Sequence, residues 1–351
     1  MKKYFVAIFF LITVTSGAFS QNTKPVVVTR QTPQQQAQHL YNEALSSYKH
    51  KKYDAAIGYL NSALKIYDSF KEAYILMANI YQDKGSQLDA IKTCMYLVDK
   101  IQQKDSAYYL LSKIYFDMKN YNSSLEYAQK AIDFNASDYK THYLKGLNNF
   151  HQQQYESAIT NFSAAISLKD NSAEIFNDRG SANYLVGNYQ EAVADYDKAV
   201  KINSISLYYN NRGNAQYASG NIKEAIEDFS TAIQLDDNSY QAYINRGIAQ
   251  LASLNYKEAL EDFNKCIQID DKSPTGYNYR GVAYFKLKKY LDAVLDFDKA
   301  INLNPQYGEA YLHRGNAKEM LRNPQMACED WQEAAKMGVV KAEEYINNQC
   351  K

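Results

Sequence analysis

A small residue returns every 33 or 34 positions along this chain: Ala44, Ala78, Ser112, Gly146, Gly180, Gly213, Gly247, Gly281 and Gly315. Twelve residues after each stands a second one: Ala56, Ala90, Ser124, Ala158, Ala192, Ala225, Ala259, Ala293 and Ala327. Four further on come Leu60, Cys94, Ala128, Phe162, Tyr196, Phe229, Phe263, Phe297 and Trp331. A fixed period of this length marks a stacked-repeat architecture, in which no unit buries its own apolar face and its neighbours complete the core. Within a unit the apolar positions follow a helical rhythm, as in Tyr243, Gly247, Ala249 and Leu251, then Tyr256, Ala259, Leu260, Phe263 and Ile267. Each unit therefore reads as an antiparallel helix pair broken by a turn, with the two small residues bringing the helices close. Val186-Gly187-Asn188-Tyr189 and Ser219-Gly220-Asn221 mark the turn, where Gly takes the left-handed conformation that ends a helix. Leu235-Asp236-Asp237-Asn238-Ser239 and Leu303-Asn304-Pro305 separate one unit from the next.

Composition agrees with an all-α chain. Hydrophobic residues make up 46% of the 351, and five Pro with fourteen Gly are too few for a loop-rich or disordered protein. Thirty-nine basic residues balance thirty-nine acidic ones, so there is no excess of cations to displace counterions from a phosphate backbone, and nucleic acid is not an expected partner.

The first twenty residues carry Lys2 and Lys3, an apolar or small run from Tyr4 to Val14, and then Thr15 to Ser20, the pattern of a secretory signal peptide cut after Ser20. Eleven strongly apolar residues reach only about 16 Å as a helix, roughly half a bilayer core, which favours cleavage over anchoring. The expected protein is exported, periplasmic or secreted, with a bacterial envelope as its setting, and meets a membrane only through a partner. Residues 21–36, rich in Gln and Thr and interrupted by Pro25 and Pro33, read as a flexible lead-in.

Tyr277, Gly281, Tyr284, Tyr290, Ala293, Phe297, Ala300 and Pro305 give this chain its resemblance to the tetratricopeptide repeat family. The resemblance implies a right-handed α-α superhelix of about nine helix-turn-helix repeats. These span 37–341, as 37–70, 71–104, 105–138, 139–172, 173–205, 206–239, 240–273, 274–307 and 308–341. Residues 342–351 then end a C-terminal capping helix. It also implies a concave groove walled by the first helix of each repeat, at positions five, nine and twelve. Position twelve is aromatic in Tyr48, Phe116, Phe150, Tyr184, Tyr217 and Phe285, rings that either line the groove or pack on neighbouring helices. Positions five and nine add Tyr109, Tyr143, Asn79, Asn177, Asn210, Asn214, Asn278 and Asn316, where amides could serve a peptide backbone or stand in solvent. Relatives that grip a terminal carboxylate use Lys and Asn on successive first helices. No unit here has Lys at position five, and Lys113 and Lys140 stand alone.

Arg179, Arg212, Arg246, Arg280 and Arg314 precede the small residue in the last five repeats, and each is followed sixteen residues later by Asp195, Asp228, Asp262, Asp296 or Asp330. Arg and Asp occurring together point to structural ion pairs rather than an anion site. The five His are scattered, with no HExxH, paired-Cys or Gly-rich phosphate loop, so neither metal, cofactor nor catalysis is expected. Cys94 and Cys266 hold core positions about 50 Å apart in the stack, beyond disulfide reach. Cys328 faces the element that follows it, which ends in Cys350, and the pair is expected to form a disulfide; two free thiols are the alternative. The expected function is a non-catalytic scaffold that binds an extended peptide or protein surface in the groove, with glycan binding by the aromatic residues as the alternative.

Overall fold

The computed structural model describes residues 31–102 and 104–350. Their secondary structure is helical throughout, nineteen α-helices and one π-helical turn, without a strand. The expected signal peptide at 1–20 lies outside the described residues. Two compact units divide the chain, the first ending at Ala73 and the second running from Tyr74.

In the first unit, α1 (Pro33–Lys49) packs antiparallel on α2 (Tyr53–Ile66), with Ala44, Ala56 and Leu60 buried where the helices meet. The lead-in expected over 21–36 is corrected here, because residues 33–36 are the first turn of α1. Thr32 and Gln35 form a reciprocal capping box, and Pro33 occupies the first helical position, where its missing N–H is no loss.

The second unit begins inside α3 (Lys71–Asp83), which pairs with α4 (Gln87–Tyr96) around Ala78, Ala90 and Cys94. The pairs that follow are α5 (Lys104–Asp117) with α6 (Tyr121–Phe134), α7 (Tyr139–His151) with α8 (Tyr155–Leu168), and α9 (Ala173–Leu185) with α10 (Tyr189–Ile202). Then come α11 (Ser206–Ala218) with α12 (Ile222–Leu235), α13 (Tyr240–Ala252) with α14 (Tyr256–Ile269), α15 (Pro274–Lys286) with α16 (Tyr290–Leu303), and α17 (Gly308–Met320) with α18 (Pro324–Lys336). A last helix, α19 (Val340–Gln349), covers α18. From α4 onward each second helix also packs on the next first helix, and first helices touch one another directly, α5 with α7 and α9 through α17 in succession. From α9 to α17 the first helices thus form one continuous face.

The pairing has a steric cause. A Cβ on Gly146, Gly213 or Gly281 would fall 2.5, 2.7 or 2.6 Å from the ring of Phe162, Phe229 or Phe297, so the large ring needs a glycine opposite it. Where the first position is Ala or Ser, its partner shrinks to Leu60, Cys94 or Ala128, all fully buried. In the third repeat the space takes two hydroxyls instead, Ser112 and Ser124, each donating to the other's carbonyl at 2.8 and 2.7 Å.

Each turn places one residue in the left-handed region. Gly85, Gly187 and Gly220 do so freely, while Lys51, Lys119, Gln153, Leu254, Lys288 and Arg322 adopt φ near +60° as well. The second repeat departs from the rest: α4 passes into a π-helical turn, Leu97–Ile101, whose wider coil buries both Leu97 and Val98.

Polar stitching overlies this core. Arg246 grips Asp262 bidentately, Nε to Oδ2 at 3.0 Å and Nη2 to Oδ1 at 2.6 Å, and its Nη1 donates to Ser230 of the preceding repeat at 3.0 Å. Arg179, Arg212, Arg280 and Arg314 repeat the arrangement with Asp195, Asp228, Asp296 and Asp330, reaching back to Ser163, Asp197, Asn264 and Asp298. The five guanidinium groups are structural, within and between repeats. At the far end, Cys328 and Cys350 are joined by a disulfide with Cα atoms 5.7 Å apart, tying α18 to the end of α19. Cys94 and Cys266 are buried thiols, and burial pushes each up to about 12.

Candidate functional site

The first-helix face of residues 74–350 carries most of the expected groove residues; Tyr48 belongs to the first unit, with its ring 6.2 Å from Tyr53. Position-twelve rings lean on the ring that opens their own second helix: Phe116 on Tyr121 at 5.7 Å, Phe150 on Tyr155 at 5.5 Å, Tyr184 on Tyr189 and Phe285 on Tyr290 at 5.4 Å. Tyr217 and Ile222 pack against the same core of Ala225, Phe229 and Ala249. All are half-buried.

Position five is corrected. Asn177, Asn210 and Asn278 are buried and committed to the neighbouring repeat. Asn211 donates to Asn177 Oδ1 at 2.9 Å, Asn245 to Asn210 Oδ1 at 3.0 Å, and Asn278 Oδ1 lies 3.1 Å from His313 Nδ1 while its Nδ2 donates to Tyr307 Oη. Tyr143 belongs to the same ladder, its hydroxyl donating to Asp178 Oδ2 at 2.6 Å. Burial, ahead of the bonds from Tyr143 and Asn177 that oppose it, raises the Asp178 carboxyl, and burial beside that carboxylate holds the Tyr143 hydroxyl far above its usual range. The signal was present in the sequence as polar residues at position six, which face position five of the repeat before. Asn316 accepts from Trp331 Nε1 at 2.9 Å, and Asn79 donates to Ile75 O at 3.1 Å. Asn214 lines a shallow hollow beside Tyr184.

Two adjoining hollows lie at the start of this face. A hollow of about 460 Å³ between α3, α5 and α7 adjoins one of about 330 Å³ between α5, α7 and α9, and the two share Tyr109, Lys113 and Lys140. Ile75, Asn79 and Leu110 line the first; Tyr143, Leu147 and Ile175 line the second. Lys113 and Lys140, isolated in sequence, therefore share one trough. Lys169 at its edge donates to Tyr139 Oη at 3.0 Å.

Family models place these repeats. Models described as tetratricopeptide repeat match residues 105–138, 173–205, 206–239, 240–273 and 274–307, and one described as TPR repeat matches 146–187, together more than half of the chain. The chain belongs to the tetratricopeptide repeat family. A tetratricopeptide repeat protein from Parabacteroides merdae is similar over 71% of this chain and all of its own, at 21% identity and a TM-score of 0.58. Pseudomonas aeruginosa pilF aligns over 59% of this chain and 96% of its own, at 18% identity and a TM-score of 0.51. These likenesses are of fold. No curated protein matches the chain. Tetratricopeptide arrays are in general protein-binding scaffolds.

Proposed function

We propose that this tetratricopeptide repeat protein is a non-catalytic scaffold of the cell envelope that binds an extended peptide in the trough of α3, α5, α7 and α9. The observation that carries this reading is the trough itself, a concavity on the first-helix face with Ile75, Leu110, Leu147 and Ile175 in its lining, Tyr109 and Tyr143 in its wall, and Lys113, Lys140, Asp117 and Asp138 along it. Tyrosine supplies contact area at small entropic cost and a hydroxyl for orientation. Sugar stacking calls for exposed rings, and the position-twelve rings are half-buried against the ring that opens the following helix, which favours a peptide over a glycan. Export is supported by the leader pattern and by a disulfide, a bond that persists in oxidising compartments.

Capture of partners from envelope extract, followed by mass spectrometry, tests the reading. Tyr109→Ala with Leu147→Ala is expected to abolish capture, each truncation costing about 2 kcal/mol, while Leu291→Ser with Leu295→Ser, exposed positions on α16, leaves it intact. Equal capture by the trough variant would remove the trough from the mechanism.

A further inference from the structure

The triplet Asn-x-Ser, the acceptor signal for an asparagine-linked glycan, occurs three times in the sequence, at Asn122, Asn135 and Asn161. The fold separates the three. Asn161 lies in the middle of α8, where its Nδ2 donates to Ser157 O at 2.8 Å, Phe162 is fully buried, and Ser163 accepts from Arg179 at 2.9 Å. Asn122 is the second residue of α6, and the Ser124 that completes its triplet is fully buried, with the hydroxyl donating to Ser112 O at 2.7 Å. In the folded protein neither triplet is open to an enzyme. Asn135-Ala136-Ser137 instead forms part of the loop between α6 and α7, and all three residues are exposed.

The loop holds its shape through its backbone. Asn135 N–H donates to Ala131 O at 2.9 Å, Asp138 N–H donates to Asn135 O at 3.4 Å, and Ala136 O lies 2.9 Å from His142 Nε2. Asn135 Oδ1 accepts from Ser137 N–H at 3.2 Å, an Asx turn that fixes the side-chain amide beside Ser137. Among the described residues, neither Asn135 Nδ2 nor Ser137 Oγ is held by a hydrogen bond. We infer that Asn135 is the acceptor of an asparagine-linked glycan, an inference that rests on the export reading above. Its Nδ2 attacks the anomeric carbon of a glycosyl diphosphate. The C–N bond forms, the bond from that carbon to the diphosphate oxygen breaks and leaves its electron pair on the diphosphate, and one amide proton passes to a base of the transferase. The product is a secondary amide, and the exposed loop carries the bulk of the sugar without displacing a packed side chain. Asn135 also lines the first hollow, so the glycan stands at the edge of the trough.

The test uses the full chain with its leader, produced in its native cell and recovered from the envelope fraction, and reads its glycopeptides by mass spectrometry. The peptide that contains Asn135 is expected to carry the added mass of a glycan, and the peptides that contain Asn122 and Asn161 are expected to carry none. Asn135→Gln and Ser137→Ala each remove the added mass, while Ser137→Thr, which keeps the hydroxyl, retains it. All three substitutions change exposed side chains, so each variant should keep the urea midpoint of the unglycosylated parent, and loss of the glycan cannot then be a loss of the fold. A bare Asn135 in protein from the envelope, a glycan there that survives Ser137→Ala, or a glycan on Asn122 or Asn161 in its place overturns the inference and leaves the export reading standing. Recovery of the chain from the cytoplasm with residues 1–20 uncut overturns the export reading, and the glycan falls with it.

Discussion

A Cβ built on Gly247 falls 2.5 Å from Cε1 of Phe263, closer than any relaxed carbon contact. Gly247→Ala is therefore expected to destabilise the protein by about 1–3 kcal/mol through overpacking. The first repeat shows how the clash is avoided, since Ala44 faces the smaller Leu60 and both are fully buried. Adding Phe263→Leu to Gly247→Ala should cost less than the two changes made singly, by at least 0.5 kcal/mol. Urea denaturation of the four proteins measures this, and strict additivity would sink it.

The same pair explains what the sequence made legible. The interval between Gly247 and Phe263 recurs through the chain, and steric complementarity at that interval specifies the helix pair, so the fold could be read without coordinates. The turn was half visible: Gly187 and Gly220 announce a left-handed residue, whereas Leu254 takes φ +63° with nothing in its chemistry to show it. The site was least legible. Asn177 and Asn278 have the chemistry of groove residues, and only their partners on the next repeat, Asn211 and His313, show that they are spent on stacking. Lys113 and Lys140 belong to different repeats and meet only because α5 and α7 lie side by side.

The arginine stitch predicts an uneven stability along the stack. Asp262 is 4% exposed at its side chain and Arg246 23%, so Arg246→Met leaves a nearly buried carboxylate without its partner. A loss of about 3 kcal/mol is expected, and the double variant Arg246→Met with Asp262→Leu should recover part of it. By contrast, Lys130→Ala removes a pair exposed on both sides and should shift stability by less than about 0.5 kcal/mol. Hydrogen exchange on the full chain gives a second reading: the stitch reaches back only to Ser163, so α5 and α6 should open at lower free energy than α11 to α16. Uniform protection across these helices would contradict it.

His313 should make the C-terminal repeats sensitive to acid. Burial, joined by Lys341 and Lys286 and opposed by Glu309, pushes its imidazole down from 6.5 to about 4. Asn278 donates to Tyr307, so its Oδ1 is an acceptor and His313 Nδ1 carries the proton of a neutral ring. The unfolded chain binds a proton at this residue below pH 6.5, and the folded chain does so only near pH 4. The contribution is therefore fully present above pH 6.5 and is lost as pH falls towards 4, by up to about 3 kcal/mol. Urea midpoints at pH 7.5 and pH 4.5 should differ more for the parent than for His313→Asn, and equal differences would show that the ring does not govern the loss.

The disulfide provides the most direct test of the C-terminal cap, because the chain's single tryptophan reports on it. Trp331 is 1% exposed and stacks on Tyr345 of α19 with ring centroids 5.1 Å apart, and Cys328 lies three residues before it on the same helix. Closing a loop between residues 22 apart stabilises the folded end by about 3 kcal/mol by restricting the unfolded chain. Cys350→Ser should therefore let α19 fray, shift the Trp331 emission to longer wavelength at urea concentrations the parent tolerates, and raise hydrogen exchange over 340–349 while leaving α11 to α14 unchanged. Thiol titration supplies the independent check. With Cys94 and Cys266 buried, the native oxidised protein should show no fast-reacting thiol and the denatured protein two. Four thiols on denaturation without reductant would mean that the cap is held by the packing of Trp331 and Tyr345 alone.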